Sequence, residues 1–320
     1  MIAAAYRHRS ECTLSMRTST YQQSKHLETS EVYPATARCP VCLAEGPRKP
    51  AFLVQDSPAI RLLQCPKCRV ASADQMPLPA VLDAYYTSYW PDKTDKLTFR
   101  SGDYLASRIL KYLSIDRDRD PIRILDFGGG EGTLARLIAQ GLMRARTADF
   151  EIDVVDWGAT DQQLGDNIRI RGHRTLETAK GPYDLVIASA VLEHVPDANA
   201  VMRTLFSLVG PSGYFYARTP YVLPLTRLHR NLDFTYPGHV HDMGSAFWNR
   251  ITETFGLRAQ VVHSGPSPVE TLLTKHPTRT IMAWTLKFPA LIEGWLLPTS
   301  RKDRFWNLVG GWEIVLRFAD

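Results

Sequence analysis

A chain of 320 residues, 44% apolar and 22% charged, has the composition of an ordinary globular protein and the length for one large domain beside a small one. No apolar run reaches the roughly 18 residues of a membrane span; the best candidate, "IMAWTLKFPALIEGWLLP", is interrupted by Lys287, Pro289 and Glu293 and reads as packed or interfacial helix. The formal charge of +5 comes from scattered residues, which argues weakly for a nucleic-acid partner and leaves a small-molecule partner open.

Residues 1–36 are Ser/Thr-rich, lack hydrophobic periodicity and lack the apolar core of a secretory signal, so they are expected to form a disordered tail outside the fold. A cytoplasmic location follows by default. Next come two matched pairs, "CPVC" (Cys39, Cys42) and "CPKC" (Cys65, Cys68). Two such turns can present four sulfurs to one tetrahedral ion, and in a short proline-rich segment the metal's binding energy becomes folding energy. Disulfides and redox dithiols are the alternatives. Matched pairs without a secretory signal favour Zn2+, which would be structural because all four ligand positions are filled by protein. Residues 37–95 are therefore read as a zinc-ribbon-like module that ends in a short helix and an aromatic cluster, "YYTSYW".

After a helical pattern in "FRSGDYLASRILKYL", strands and helices alternate from Ile122. "IRILDF", "FEIDVVD", "NIRIRG", "YDLVIASA" and "GYFYART" read as strands, with helices in "TLARLIAQGL" and "DANAVMRTLFSLVG". A helix in "SAFWNRITETFG" and the strands "LRAQVVHSG" and "WEIVLRFA" complete the pattern. Strand–helix alternation predicts an α/β fold, doubly wound about a mostly parallel, Rossmann-like sheet of seven strands. Residues 96–265 form its core, and 266–320 supply a helical insertion, a candidate lid, plus the terminal strand.

The stretch "DFGGGEG" places Gly128, Gly130 and Gly132 between the first strand of that core and its helix. A dinucleotide fingerprint needs its third glycine three positions after the second, where this chain has Thr133, and no Lys-Ser/Thr follows for a nucleoside triphosphate. Asp126 ahead of the glycines would repel a diphosphate and attract an ammonium group, while the helix N-terminus beyond favours a carboxylate. A ligand with both is an amino acid. Asp156, at the end of the second strand, stands where doubly wound folds hold a ribose diol. An amino acid joined to a ribose describes S-adenosyl-L-methionine.

The same residues carry a family resemblance. "DFGGGEG", the acid of "VVDW" and "YDLVIASAVLEHVPD" resemble the class I S-adenosylmethionine-dependent methyltransferases, and "LEH" with "VPD" resembles their small-molecule branch. From Cys39 onward the chain is similar to a bacterial subset with an N-terminal zinc module, a tyrosine cluster and a histidine motif after the fifth strand, here "GHVHDM". Gly238 and Met243 depart from that motif, where a glutamate and an aromatic are usual. The resemblance implies methyl transfer to a sugar, nucleotide-sugar or sugar-like metabolite, most often at oxygen, with the cofactor held by Asp126, Gly128, Gly130, Gly132, Asp156 and Ser189.

A hydroxyl acceptor needs a base, and histidine suits neutral pH. His239 is the first candidate, against a reading in which it and His241 only pin a loop. His194 of "LEHVPD" is the second, against a scaffold role beside the cofactor; Glu193 next to it reads as a helix-start or surface acid. Tyr86 and Tyr89 are candidates to bind the acceptor from the zinc module, against a plain domain interface. Two rivals remain: an RNA methyltransferase that grips nucleic acid through the zinc module, and an inactive cofactor-binding module. Against the RNA reading, no Asn/Asp-Pro-Pro-aromatic follows the fourth strand, and the fifth cysteine, Cys12, lies in the tail.

Overall fold

The computed structural model describes residues 24–89, 102–115, 120–144, 148–227, 234–267, 277–297 and 303–320. A small antiparallel sheet comes first, from β1 (Lys49–Gln55), β2 (Ile60–Gln64) and β3 (Ala71–Ala73). Helix α1 (Pro79–Tyr89) follows and takes the tyrosine cluster into the helix itself. The main domain opens with α2 (Gly102–Leu110) and runs through β4 (Ile122–Phe127), α3 (Thr133–Met143), β5 (Phe150–Val155), β6 (Gln162–Leu164) and β7 (Ile168–His173). It continues with β8 (Tyr183–Ser189), α4 (Ala198–Leu208), β9 (Val209–Tyr221), β10 (His241–Asp242), α5 (Ser245–Trp248), α6 (Ile251–Phe255), β11 (Ala259–Pro266), α7 (Pro277–Leu296) and β12 (Gly310–Phe318).

The large sheet has eight strands in the order β11-β12-β9-β8-β4-β5-β7-β6. All seven expected strands are present. The eighth, β6, is a three-residue "QQL" edge piece antiparallel to β7, too short and polar to show a period. Strands β9, β8, β4, β5 and β7 run parallel, and β12 is antiparallel to both β9 and β11. Strand β8 is apolar on both faces because both are covered: Leu185 and Ile187 join the core under α2 and α3, Val186 and Ala188 the core under α4, α5 and α6. One helix expected over "SAFWNRITETFG" is two, broken at Asn249 and Arg250, and the second ends on Gly256 in the left-handed conformation (φ 66°).

One expectation changes. The segment 24–36 is not outside the fold: Leu27 (0% exposed) and Val32 (7%) pack with Ile60, Leu62, Tyr236 and Val240, and Lys25 N–H donates to Tyr236 O. It is anchored by two isolated apolar residues and backbone bonds, which leave no periodicity to read. Residues 1–23 lie outside the described residues. The insertion, expected as a candidate lid, forms α7 and packs on the edge strand β11. Its two polar interruptions are what fix it: Lys287 Nζ donates to Ser267 O and Val309 O, and Glu293 accepts from Phe305 N and Trp306 N. Among the described residues no helix is long and apolar enough to cross a membrane.

The small sheet is built into the large domain. Its β3 pairs with β10, Ser72 opposite His241 and Ala71 opposite Asp242. Asn199 at the start of α4 donates from Nδ2 to Val41 O at 2.6 Å, inside the first cysteine turn. Asn199→Ala leaves that buried carbonyl without its donor and should destabilise the protein by about 1–3 kcal/mol; a urea midpoint unchanged from wild type would show that the bond contributes nothing.

Candidate functional site

Strand β4 pairs with β5 on one side and β8 on the other, both in parallel, so successive crossovers diverge at its carboxyl end. That divergence opens the crevice in which doubly wound sheets bind ligands. The glycine loop lies there. Gly128, Gly130 and Gly132 all have positive φ (72°, 60° and 75°). A Cβ at Gly128 would collide with the side chain of Val191, in the turn after β8, whereas one at Gly130 would meet open space. Gly128 thus holds the two loops together while Gly130 leaves room for a ligand.

Asp126 is 1% exposed, and its Oδ2 has no hydrogen-bond partner among the described residues. Burial pushes its pKa up to about 7, against a backbone bond from Ala135 and with the nearby Asp156 carboxylate adding to the rise. A cationic head group beside it would supply the missing partner. Asp156 Oδ2 accepts from Gly130 N at 2.9 Å, so the second expected acid braces the loop. Trp157, which the sequence reading passed over, is 60% exposed beside it. Ser189 ends β8 and accepts from Arg218 Nε at 3.3 Å, and Ala190 after it has a left-handed φ of 58°, turning the chain sharply at the crevice.

The acceptor-side candidates come from three distant parts of the chain. The turn Leu192–His194 follows β8, the segment Phe234–His241 leads into β10, and α1 arrives from the small sheet. His194 Nδ1–H donates to Gly238 O at 2.6 Å, which leaves Nε2 unprotonated. Thr235 Oγ1–H donates to Phe234 O, so its oxygen accepts from His239 Nδ1–H at 2.8 Å, and His239 takes the same tautomer. The rings lie 4.7 Å apart. Burial holds His194 down to about 4 and His239 well below the usual histidine range, the latter helped by the neighbouring His194, so both are neutral at pH 7. Thr235 is β-branched yet left-handed (φ 60°), a strained backbone placed under His239.

Tyr86 is in reach of this pair, its hydroxyl 3.2 Å from His194 Nδ1 and donating to Gly238 O at 3.3 Å. Tyr89 closes α1, and its side chain lies outside the described residues. His241 is a pin: its ring bonds to Ser72 Oγ and Val195 O, both at 2.8 Å. Glu193 is no surface acid. It is 1% exposed, its Oε1 is 3.8 Å from His194 Nε2, and burial pushes its pKa up to about 8. The segment that covers it is fastened by Val240 N–H donating to Glu193 O.

The four cysteines converge. Cys39 and Cys68 Sγ are 3.7 Å apart, Cys42 and Cys65 Sγ 3.6 Å, and all four sulfurs lie within 4.8 Å of one another. These spacings are too long for disulfides. They match the edges of a tetrahedron, about 3.8 Å for a Zn–S bond near 2.3 Å. Each pair sits in the same turn: Leu43 N–H donates to Cys39 O, Arg69 N–H to Cys65 O, and Leu43 and Arg69 are both left-handed.

Residues 98–263, just over half of the chain, match the family model described as a methyltransferase domain. The chain is similar to a ubiquinone biosynthesis O-methyltransferase of Methylocella silvestris, 30% identical over 151 residues that cover 44% of this chain and 57% of that protein. It is also similar to a tRNA 5-carboxymethoxyuridine methyltransferase of Escherichia coli, 32% identical over 98 residues, 29% of this chain and 38% of that one. The chain spans about half the length of the curated relatives it matches. Among solved structures it is similar to a plantazolicin methyltransferase in complex with SAH, 15% identical over 74% of this chain and 92% of that one, with a TM-score of 0.44.

The thiolate tetrahedron predicts one tightly held zinc ion per chain by elemental analysis of the purified protein. Cys65→Ser should lose most of that zinc and lower the melting temperature. A metal-free wild-type chain of unchanged stability would contradict the assignment.

Proposed function

The chain belongs to the methyltransferase-domain family, and from that premise we propose that it transfers the methyl group of S-adenosylmethionine to an oxygen of a sugar, nucleotide-sugar or sugar-like small metabolite. What supports the reading is the pairing of His194 and His239 from two loops, each Nδ1 engaged by an oxygen of the protein (Gly238 O and Thr235 Oγ1), with the turn that carries His194 packed against the glycine loop. Bound S-adenosylmethionine supplies an electrophilic methyl group on a sulfonium sulfur. Asp126 would hold the ammonium of the methionyl part, Gly130 would give its backbone access to the crevice, and Asp156 would meet the ribose with Trp157 at its flank.

On the acceptor side His239 takes the hydroxyl proton at Nε2 while Thr235 holds its Nδ1–H in place. His194, tied to Gly238 O, orients the neighbouring ring and the loop that carries it. Tyr86 brings a phenol from the zinc module to the same carbonyl, which supports a polyhydroxylated acceptor held by hydroxyl and ring contacts. In-line displacement asks mainly for alignment, and orientation of this kind is worth roughly 7–11 kcal/mol at its upper range.

Three outcomes test the reading. Because Asp126 must ionise to meet an ammonium group, adenosylhomocysteine affinity should rise as pH passes upward through about 7; Asp126→Asn should weaken binding at least tenfold and flatten that rise by calorimetry. His239→Ala should leave cofactor affinity within about twofold and slow transfer on the order of a hundredfold or more, and full turnover would remove His239 from the mechanism. A labelled-methyl assay on fractionated extract should place the label in small-molecule fractions containing sugar, and label in RNA alone would replace the acceptor class.

A further inference from the structure

Glu193 is an acid that burial keeps protonated near neutral pH, its pKa pushed up to about 8. Its carboxyl group is buried, and Oε2 has no hydrogen-bond partner among the described residues. Ionising it there is unfavourable, even with the charge of Arg218 acting to lower the pKa, unless a further positive charge or a donor meets the open oxygen. The two histidines beside it are arranged in the complementary way. Each gives its Nδ1–H to an oxygen of the protein, the carbonyl of Gly238 and the hydroxyl of Thr235, and so turns a lone pair outward at Nε2. Metal-bound histidines are held in this way, the far N–H anchored on a protein oxygen and the tautomer thereby fixed. One ligand atom from each of Glu193, His194 and His239 lies within 4.8 Å of the other two.

We propose that Glu193, His194 and His239 bind a divalent transition-metal cation at the acceptor side of the crevice, with two imidazole nitrogens and one carboxylate on one face and the remaining positions open to oxygen donors of the acceptor. Two imidazoles and a single carboxylate select borderline ions such as Mn2+, Fe2+, Co2+ or Zn2+ over Mg2+ and Ca2+, which prefer oxygen throughout. The site differs in kind from the cysteine cluster, whose four thiolates leave no position open. It also lies by the chemistry: the turn that carries Glu193 and His194 begins at Val191, whose side chain packs on Gly128.

The proposal rests on the methyltransferase reading for the location of the acceptor and changes one step of it. The lone pairs of His194 and His239 are given to the cation, and its charge, in place of imidazole basicity, makes the acceptor's hydroxyl more acidic and fixes its direction; the hydroxyl proton leaves to solvent water, and the methyl group passes from the sulfonium sulfur to the acceptor oxygen, leaving adenosylhomocysteine as the thioether. An acceptor with two neighbouring oxygens, such as a vicinal diol of a sugar, would suit the open positions best.

The test is a Mn2+ titration of the full chain with its cysteine-bound zinc retained, followed by the electron paramagnetic resonance of free Mn2+, with Co2+ absorption as a second probe. One Mn2+ per chain is expected. Bound Co2+ should lack the thiolate charge-transfer band that occupancy of the cysteine site would give. Glu193→Gln and His194→Gln should each weaken Mn2+ binding at least tenfold, with retained adenosylhomocysteine binding as the control for folding. No Mn2+ or Co2+ bound by the wild-type chain, or binding indifferent to both substitutions, overturns the proposal. The base reading fails separately: it falls if His239→Ala keeps full turnover, and it stands alone if that variant is slow while the wild-type chain binds no cation.

Discussion

The hydrogen bond from His194 Nδ1 to Gly238 O, 2.6 Å long, joins the turn after β8 to the segment before β10, and the candidate site depends on it. The first of these loops packs on the glycine crevice through Val191, and the second carries His239. Neither is long enough or regular enough to hold a position alone. Together with Val240 N–H on Glu193 O and His241 on Val195 O, the bond ties them to each other, and it sets which nitrogen of His194 is engaged by the protein. With the Thr235 bond to His239, it turns two ordinary histidines into two neutral lone pairs 4.7 Å apart, ring centre to ring centre. Burial then keeps them neutral.

The small sheet is the outer support of this arrangement. The Phe234–His241 segment is held from that side by the pairing of His241 with Ser72, by the bond between those side chains, and by Ala73 N–H donating to Val240 O. From the other side it is held by Val240 N–H on Glu193 O and by His241 on Val195 O. Strand β3 begins three residues after Cys68, so the order of the cysteine cluster passes directly into the strand on which the histidine segment rests. The four cysteines thereby support the histidine segment without any of them touching it. A module that would read as an appendage is part of the wall of the site.

Legibility in the sequence followed the range of the interactions. Strand β8 shows as the apolar run Leu185–Ala188 because helices cover both faces, β4 and β5 show as apolar residues alternating with Arg123, Glu151 and Asp153, and the glycine loop shows because only glycine takes three left-handed positions so close together. The cysteine pairs show because each forms a local turn. Glu193 did not show: an acid next to a histidine at the start of a helix looks exposed, and its burial is created by Val240 and its neighbours, far along the chain. The same holds for the segment 24–36, whose two apolar anchors find their cavity only once β2 and the Tyr236 segment have met. Tyr86 stood in a visible cluster, but its place in the interior of α1, facing Gly238, required the docking of two sheets. Asp156 directly follows β5, while its bond to Gly130 depends on a loop conformation that residue order does not fix.

The account therefore turns on the protonation of two rings. Long-range proton–nitrogen correlation spectra of the histidine side chains, recorded near neutral pH on protein with no divalent ion added beyond that carried through purification, report each tautomer directly. His194 and His239 should both appear as neutral imidazoles carrying hydrogen on Nδ1 and a lone pair on Nε2. Hydrogen on Nε2 of either ring, or a ring that is cationic at that pH, would mean that the site presents no such pair to an acceptor or to a cation.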